Sequence, residues 1–197
     1  MKDTLFYKIV RPILWLLFRG LFRPVIVGKN NIPKNGGIVL AGNHTKWLDA
    51  IMLITACPRQ VHFLAKDSLF KGFMGILLRG VGGIPVNRKI HDKDALLSAK
   101  KTLSMDLCIG IFPEGTINRT DDIIMPFKIG AVKMCNVTGA KLVPFVITGE
   151  YKLFGKGITI EFLKAREVSD DLDLENKKLM ELVSSKLKKR GKKDGKK

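Results

Sequence analysis

The chain has 197 residues, of which 46% are hydrophobic, and this combination predicts one folded domain with a buried core and excludes a disordered chain. Its 35 Lys and Arg residues against 18 Asp and Glu residues give a formal net charge of +17, which favours an anionic partner: nucleic acid, a lipid surface or a phosphorylated substrate. The three cysteines are far apart and form no C-x-x-C pair, so we expect reduced core thiols of a cytosolic compartment and no metal site.

Residues 1–30 are predicted to form an amphipathic, membrane-associating helical segment. Apolar residues recur there at helical spacing: Phe6, Ile9, Val10, Ile13, Leu14, Leu17, Phe18 and Leu21. Another face carries Lys8, Arg11, Trp15 and Arg19. The longest apolar run, 12–18, is far shorter than the roughly 20 residues that cross a bilayer, and no signal-peptide cleavage site follows it. We expect the segment to lie in a membrane interface; the alternative is a first helix that buries the same stripe on the domain.

Residues 31–185 alternate between short β-rich runs and helical stretches. The predicted strands cover 38–41, 61–65, 83–86, 107–112, 142–147 and 158–162. The predicted helices between them cover 47–57, 68–79, 93–105 and 128–137. This alternation predicts a single α/β domain in which helices flank a mixed sheet.

Residues 186–197 are the most basic part of the chain. They contain eight Lys and Arg residues and one acid, Asp194. Their Gly and Lys content predicts a basic disordered tail after a helix near 173–187. Such a tail either adds attraction to an anionic leaflet or simply lies in solvent, and composition leaves both readings open.

The first polar cluster of interest is Asn43-His44-Thr45-Lys46-Trp47-Leu48-Asp49, directly after a predicted strand. Its histidine and aspartate are five residues apart, a spacing that puts two side chains on different faces of an ideal helix. The pair can therefore form only if His44 lies in the turn begun by Gly42 and Asn43, with Asp49 early in the next helix. An imidazole oriented in this way by a carboxylate is typical of a general base.

The second cluster is Phe112-Pro113-Glu114-Gly115-Thr116, also at a strand end. It predicts a tight turn that offers backbone N–H groups and a hydroxyl to an anion. Since ligands of α/β sheets usually bind beyond the strand ends, we expect the two clusters to face one crevice. Lys66 and Arg88 follow two further predicted strands and belong to the same edge by this logic.

Other chemistries find little support. The sequence has no G-x-S-x-G or H-E-x-x-H motif and no set of His, Cys or carboxylate residues at metal-ligand spacing. Gly149 to Gly157 lacks both the spacing and the Ser or Thr of a phosphate-binding loop. For His62 and His91 the spacing favours packing or solvent exposure. The phenylalanines lie in apolar contexts and are not interleaved with basic residues, which argues against nucleic-acid binding.

Taken together, the motifs resemble those of the glycerolipid acyltransferase family, specifically the bacterial 1-acylglycerol-3-phosphate acyltransferases. Four blocks match in order: N-H-T-K-W-L-D at 43–49, G-G-I-P-V-N-R at 82–88, F-P-E-G-T at 112–116 and V-P-F-V-I-T-G at 143–149. P-F-K-I-G-A at 126–131 also resembles the family's segment after the third block. The match spans about the middle half of the chain, and four ordered blocks are far more specific than any one of them.

The resemblance implies transfer of a fatty acyl group from a thioester, either acyl-CoA or acyl carrier protein, to the free hydroxyl of lysophosphatidic acid, giving phosphatidic acid without another cofactor. It implies that His44 is the general base and that Asp49 orients it. It assigns Arg88, Glu114, Gly115 and Thr116 to the blocks that meet the acceptor phosphate. Lys66 aligns with a basic position between the first two blocks, which implies a contact with the phosphate or with the developing oxyanion. The alternative is that Lys66 is an ordinary surface lysine.

One residue departs from the family pattern. The family usually has arginine directly after the threonine of the third block, whereas this chain has Ile117 and Asn118 before Arg119. Arg119 reaches the phosphate only if the loop bulges, and the alternative is another acceptor, a different lysophospholipid or a lipid-like alcohol. A non-catalytic basic protein that binds membranes is the alternative from another class. The leading hypothesis is a monotopic or peripheral enzyme on the cytoplasmic face of the cell membrane.

Overall fold

The computed structural model describes residues 5–86 and 92–194. Along these residues the α-helices are α1 (Leu5–Phe22), α2 (Asp49–Ala56), α3 (Gly72–Gly80), α4 (Asp92–Leu103), α5 (Gly130–Thr138) and α6 (Leu172–Asp194). The strands are β1 (Val25–Val27), β2 (Ile38–Gly42), β3 (Val61–Lys66), β4 (Gly83–Val86), β5 (Cys108–Ile111), β6 (Lys141–Gly149) and β7 (Ile158–Phe162). Two short 3-10 turns cover Lys29–Asn31 and Asp67–Phe70.

The strands described form one mixed sheet in the order β1-β7-β6-β2-β5-β3-β4. The β6–β7 pair is antiparallel and the other pairs are parallel. The prediction of one α/β domain with a mixed sheet flanked by helices is thus confirmed. Because β2, β5, β3 and β4 are parallel neighbours, their carboxyl ends meet at one edge, which we call the carboxyl edge of the sheet.

The buried core lies on both faces of the sheet because successive strand residues point to opposite sides. In β2, Ile38 and Leu40 pack towards α1 and α2, whereas Val39 and Ala41 pack towards α4, α5 and α6. All five residues of β2 are buried, as expected for a central strand covered on both faces. The three cysteines are buried free thiols, as predicted.

Helix α1 divides the predicted apolar stripe between its two faces, because Phe18 is buried on the domain whereas Ile9, Ile13 and Leu17 are exposed. Tyr7, Phe18 and Phe22 face the domain, and Arg11, placed by the sequence on an outer polar face, donates a hydrogen bond to the Cys57 carbonyl after α2. The exposed face is apolar: Ile9, Ile13, Leu16 and Leu17 lie there. The face of α1 that packs on the domain is therefore chosen by its aromatic rings and by Arg11, which bonds the carbonyls at the end of α2, and not by the spacing of its aliphatic residues. No helix in the described part of the chain is both long and apolar enough to span a membrane.

Two boundaries differ from the predicted segments. Val25–Val27, predicted to belong to the N-terminal membrane segment, instead forms β1 and pairs in parallel with β7. The predicted tail from residue 186 is helical as far as Asp194, because α6 continues through it. Leu179 and Val183 anchor α6 in the core, and Lys and Arg are good helix formers beyond that anchor.

Candidate active site

The approach to His44 is set by the last two residues before it. At Gly42 a Cβ would lie 2.3 Å from the Phe145 carbonyl oxygen, so β6 passes too close for any side chain. The side chain of buried Asn43 then extends the sheet pairing: its amide donates to the Ile147 carbonyl at 2.9 Å, and its oxygen accepts from the Ile147 N–H at 2.8 Å. These contacts fix the backbone where β2 ends and His44 begins.

His44 and Asp49 form the predicted pair. His44 Nδ1 lies 3.0 Å from Asp49 Oδ2, and the carboxylate is fully buried at the start of α2. The same oxygen accepts the backbone N–H groups of Thr45 at 2.6 Å and Lys46 at 2.8 Å. A carboxylate at Nδ1 favours the tautomer that leaves the lone pair on Nε2, the nitrogen that can accept a proton from a substrate.

An aromatic ring sets the plane of the imidazole. The rings of His44 and Phe112 stack with centroids 4.0 Å apart and an interplanar angle of 15°. Phe112 itself lies 6.1 Å from the ring of Phe63 and nearly parallel to it. The His44 side chain is 17% exposed, so part of the stacked ring remains accessible to an incoming group.

The second cluster holds the backbone of His44. The Glu114 carboxylate accepts the His44 N–H at 2.7 Å and the Met125 N–H at 2.9 Å, and the Asn118 N–H donates to the His44 carbonyl at 2.8 Å. Glu114 is only 3% exposed, so its charge lies beneath the turn and not on its surface. The two clusters predicted to face one crevice are therefore in direct contact.

The surface of this turn carries groups suited to an anion. Gly115 has a φ of 75°, and Thr116 and Arg119 are exposed beyond it. The ammonium of Lys128 lies against Gly115, where an added Cβ would be 2.8 Å from Nζ. Lys128 is not among the predicted site residues, although it belongs to the P-F-K-I-G-A segment that resembles the family's segment after the third block.

The other two predicted cations are only partly placed. Lys66 ends β3 at the carboxyl edge, where its backbone pairs with Val86 of β4. Its side chain and the whole of Arg88 lie outside the described residues. The backbone geometry nevertheless brings the ends of β3 and β4 to the same edge as His44, as the strand pattern predicted.

Tyr151 is a site residue that the sequence did not reveal. Its hydroxyl donates to Asp49 Oδ1 at 2.6 Å, so it holds the oxygen that His44 does not contact. The only available signal was its position two residues after the fourth block, V-P-F-V-I-T-G.

Comparison with known proteins is consistent with this geometry. A family model described as Acyltransferase matches residues 23–148, which include both polar clusters. The 1-acyl-sn-glycerol-3-phosphate acyltransferase of Bacillus subtilis is 34% identical over 137 residues, covering 67% of each chain. The enzyme of the same name from Borreliella burgdorferi is 36% identical over 154 residues, which are 76% of this chain but 59% of that protein.

A solved structure shares the fold. The crystal structure of the 1-acyl-sn-glycerophosphate acyltransferase of Thermotoga maritima aligns with a TM-score of 0.70 over 96% of this chain and 84% of that one. The sequences are 18% identical in this alignment.

Proposed function

This chain belongs to the acyltransferase family, and on that premise we propose that it moves a fatty acyl group from a thioester to the free hydroxyl of 1-acylglycerol-3-phosphate. The products are phosphatidic acid and a free thiol, from CoA or acyl carrier protein. The observation that carries the proposal is the His44–Asp49 pair at the carboxyl edge of the sheet, in which Asp49 is fully buried and the His44 side chain remains partly exposed.

In this mechanism Nε2 of His44 takes the proton of the acceptor hydroxyl as its oxygen attacks the thioester carbonyl. Asp49 stabilises the imidazolium that forms. The tetrahedral intermediate then expels the thiolate, and His44 returns the proton to that sulfur. A positioned base typically contributes about 10²–10⁴-fold, and substrate positioning and charge stabilisation supply the rest.

The phosphate of the acceptor fits the surface of the Glu114-Gly115-Thr116 turn. Exposed Thr116 offers a hydroxyl, Lys128 offers positive charge beside Gly115, and exposed Arg119 follows in the same loop. Lys128 supplies a cation beside the turn where this chain has Ile117 instead of the family's usual arginine. Lys66 and Arg88 are further candidates from the neighbouring strand ends.

Product analysis tests the reaction. Purified protein in vesicles is offered a matrix of acyl-CoA and acyl carrier protein donors against lysophospholipids and long-chain alcohols, and products are identified by mass spectrometry. We expect phosphatidic acid from lysophosphatidic acid, and a loss of at least about 10²-fold in His44→Ala. Thioester consumption that is unchanged in folded His44→Ala would refute the mechanism. Equal rates with phosphate-free acceptors would favour the alternative of a lipid-like alcohol.

The exposed face of α1 supports placement on a membrane. Leu16 is 66% exposed, and its neighbours on that face are also apolar, while the chain is strongly cationic. We propose that α1 lies in the interface of an anionic leaflet, on the cytoplasmic side where acyl thioesters and reduced thiols occur.

Vesicle flotation tests this placement with a matched pair of variants. Leu16→Glu on α1 is expected to weaken binding to anionic vesicles. Leu97→Glu is the control, because Leu97 is 68% exposed on α4, which packs on the opposite face of the sheet. Equal binding by the two variants would contradict the placement of α1.

A further inference from the structure

The two oxygens of Asp49 have different donors. Oδ2 accepts from His44, Thr45 and Lys46, all within the turn that leads into α2. Oδ1 accepts from Tyr151, at 2.6 Å, and no other donor to it is found in the described part of the chain. The orientation of the carboxylate that faces His44 therefore depends on a residue distant in sequence.

The Tyr151 hydroxyl can act only as a donor in this position. Burial raises its pKa far above the usual range, and the Asp49 charge and the hydrogen bond to Asp49 raise it further. The hydroxyl therefore keeps its proton and donates it to the Asp49 carboxylate.

Two phenylalanines of α1 hold the Tyr151 ring. The rings of Phe18 and Phe22 meet it edge to face, with centroids 6.0 Å and 5.6 Å away. The Phe154 N–H also donates to the carbonyl of Leu21 at 2.5 Å, so the loop of Tyr151 is bound to α1 through its backbone as well. Edge-to-face aromatic pairs of this kind restrict the orientation of both rings.

The loop itself has little freedom at its entrance. Gly149 has a φ of 86°, and a Cβ there would lie 1.9 Å from the Gly157 carbonyl oxygen. The Glu150 N–H donates to the same carbonyl at 3.0 Å. The chain therefore turns in one way at Gly149, and Tyr151 is directed towards Asp49.

We propose that Tyr151 is a positioning residue for the His44–Asp49 pair and that Phe18 and Phe22 of α1 keep it in place. The helix with the exposed apolar face is thereby coupled to the catalytic base. Tyr151 and the two phenylalanines lie outside the range matched by the family model. The effect on turnover rests on the proposed function, whereas the effect on His44 does not.

The decisive variant is Tyr151→Phe, which keeps the ring and its contacts with α1 and removes only the hydroxyl. We expect kcat to fall about tenfold, the scale of one hydrogen bond to a charged group, with KM unchanged for both substrates. Without the Tyr151 hydroxyl, the negative charge of Asp49 has one hydrogen-bond donor fewer and stabilises the imidazolium form of His44 more strongly. The acidic limb of the pH–rate profile should therefore move to higher pH.

Tyr7→Phe is the matched control. Tyr7 is another buried tyrosine at the interface of α1, where its hydroxyl accepts the Val61 N–H at 3.4 Å, at the start of β3 and away from the carboxyl edge. The same atom is removed from the same interface, so kcat and the pH profile of Tyr7→Phe should match the parent. A purely structural role for Tyr151 predicts that both variants change only the melting temperature.

Phe22→Leu tests the coupling to α1 and serves as the test if Tyr151→Phe does not fold. It should also lower kcat. In the double variant with Tyr151→Phe, the fold reduction in kcat should be smaller than the product of the two single reductions, because both changes act through the same contact. Independent effects that simply multiply would overturn the role of α1. Parent-like kcat and pH profile in Tyr151→Phe would overturn the role of Tyr151.

NMR titration of the histidine ring signals separates this inference from the proposed function. The chain has three histidines, so the His44 signals can be assigned by comparison with His44→Ala. In Tyr151→Phe the His44 signals should titrate at higher pH than in the parent, whether or not lysophosphatidic acid is acylated. Absence of turnover in the parent would refute the function, and an unchanged titration would refute the positioning role.

Discussion

Asp49 and Glu114 are both buried carboxylates in contact with His44, and they serve it in different ways. Asp49 contacts the imidazole and accepts hydrogen bonds from four residues, Tyr151 and the three residues His44, Thr45 and Lys46 of one turn. Glu114 contacts only the backbone N–H of His44 and joins it to Met125. Two carboxylates of similar burial thus have different effects: Asp49 acts on the imidazole ring, and Glu114 fixes the position of the His44 backbone.

This difference teaches that burial and charge do not by themselves identify a catalytic carboxylate. What distinguishes the two is the atom of His44 that each one meets. A contact to Nδ1 changes the proton affinity of Nε2, whereas a contact to the backbone N–H makes no hydrogen bond with the ring and determines where the ring lies.

The largest effect is expected for Asp49→Asn. The Asn oxygen can still accept the N–H groups of Thr45 and Lys46, so the fold should survive. In that orientation the Asn oxygen also faces Nδ1 of His44 and the amide NH₂ faces the Tyr151 hydroxyl, so the negative charge that stabilises the His44 imidazolium is lost. We expect kcat to fall about 10²–10⁴-fold, measured with the acceptor that the parent uses best. A loss of less than tenfold in folded protein would remove Asp49 from the mechanism.

Glu114→Gln should lose stability and activity together. One of the two backbone N–H groups that Glu114 accepts would face an amide NH₂ and lose its partner. The expected cost is about 1–3 kcal/mol in the free energy of unfolding, measured with denaturant. Activity of the folded fraction should fall about tenfold through displacement of His44, less than in Asp49→Asn. If activity fell as far as in Asp49→Asn while stability held, Glu114 would have a chemical role after all.

Lys128→Ala is expected to have the smallest effect. Because Lys128 is exposed, an ion pair with the acceptor phosphate is screened by water, and KM for lysophosphatidic acid should rise about threefold to fivefold with kcat retained. Lys141→Ala is the control, since exposed Lys141 begins β6 at the opposite edge of the sheet. Equal KM values for the two variants would place the phosphate elsewhere on the turn.

Local sequence was enough to predict most of the sheet and the core of the site. Short β-rich runs predict the strands that precede His44 and Glu114, and Gly42-Asn43 predicts the turn between β2 and α2. The His44–Asp49 pair was predictable because both residues lie in one turn, so their separation depends on a few backbone angles and not on the rest of the fold.

The tertiary structure alone decided the contacts that cross between distant segments. The buried face of α1 depends on which surface of α2 and β3 it meets, so Arg11 lies inward, and the apolar stripe is divided between buried Phe18 and exposed Ile13. The order of strands in the sheet brings Glu114 next to the backbone of His44 and Tyr151 next to Asp49. Residue spacing predicts contacts only within a turn or a helix; beyond that, packing of the whole chain selects the partners.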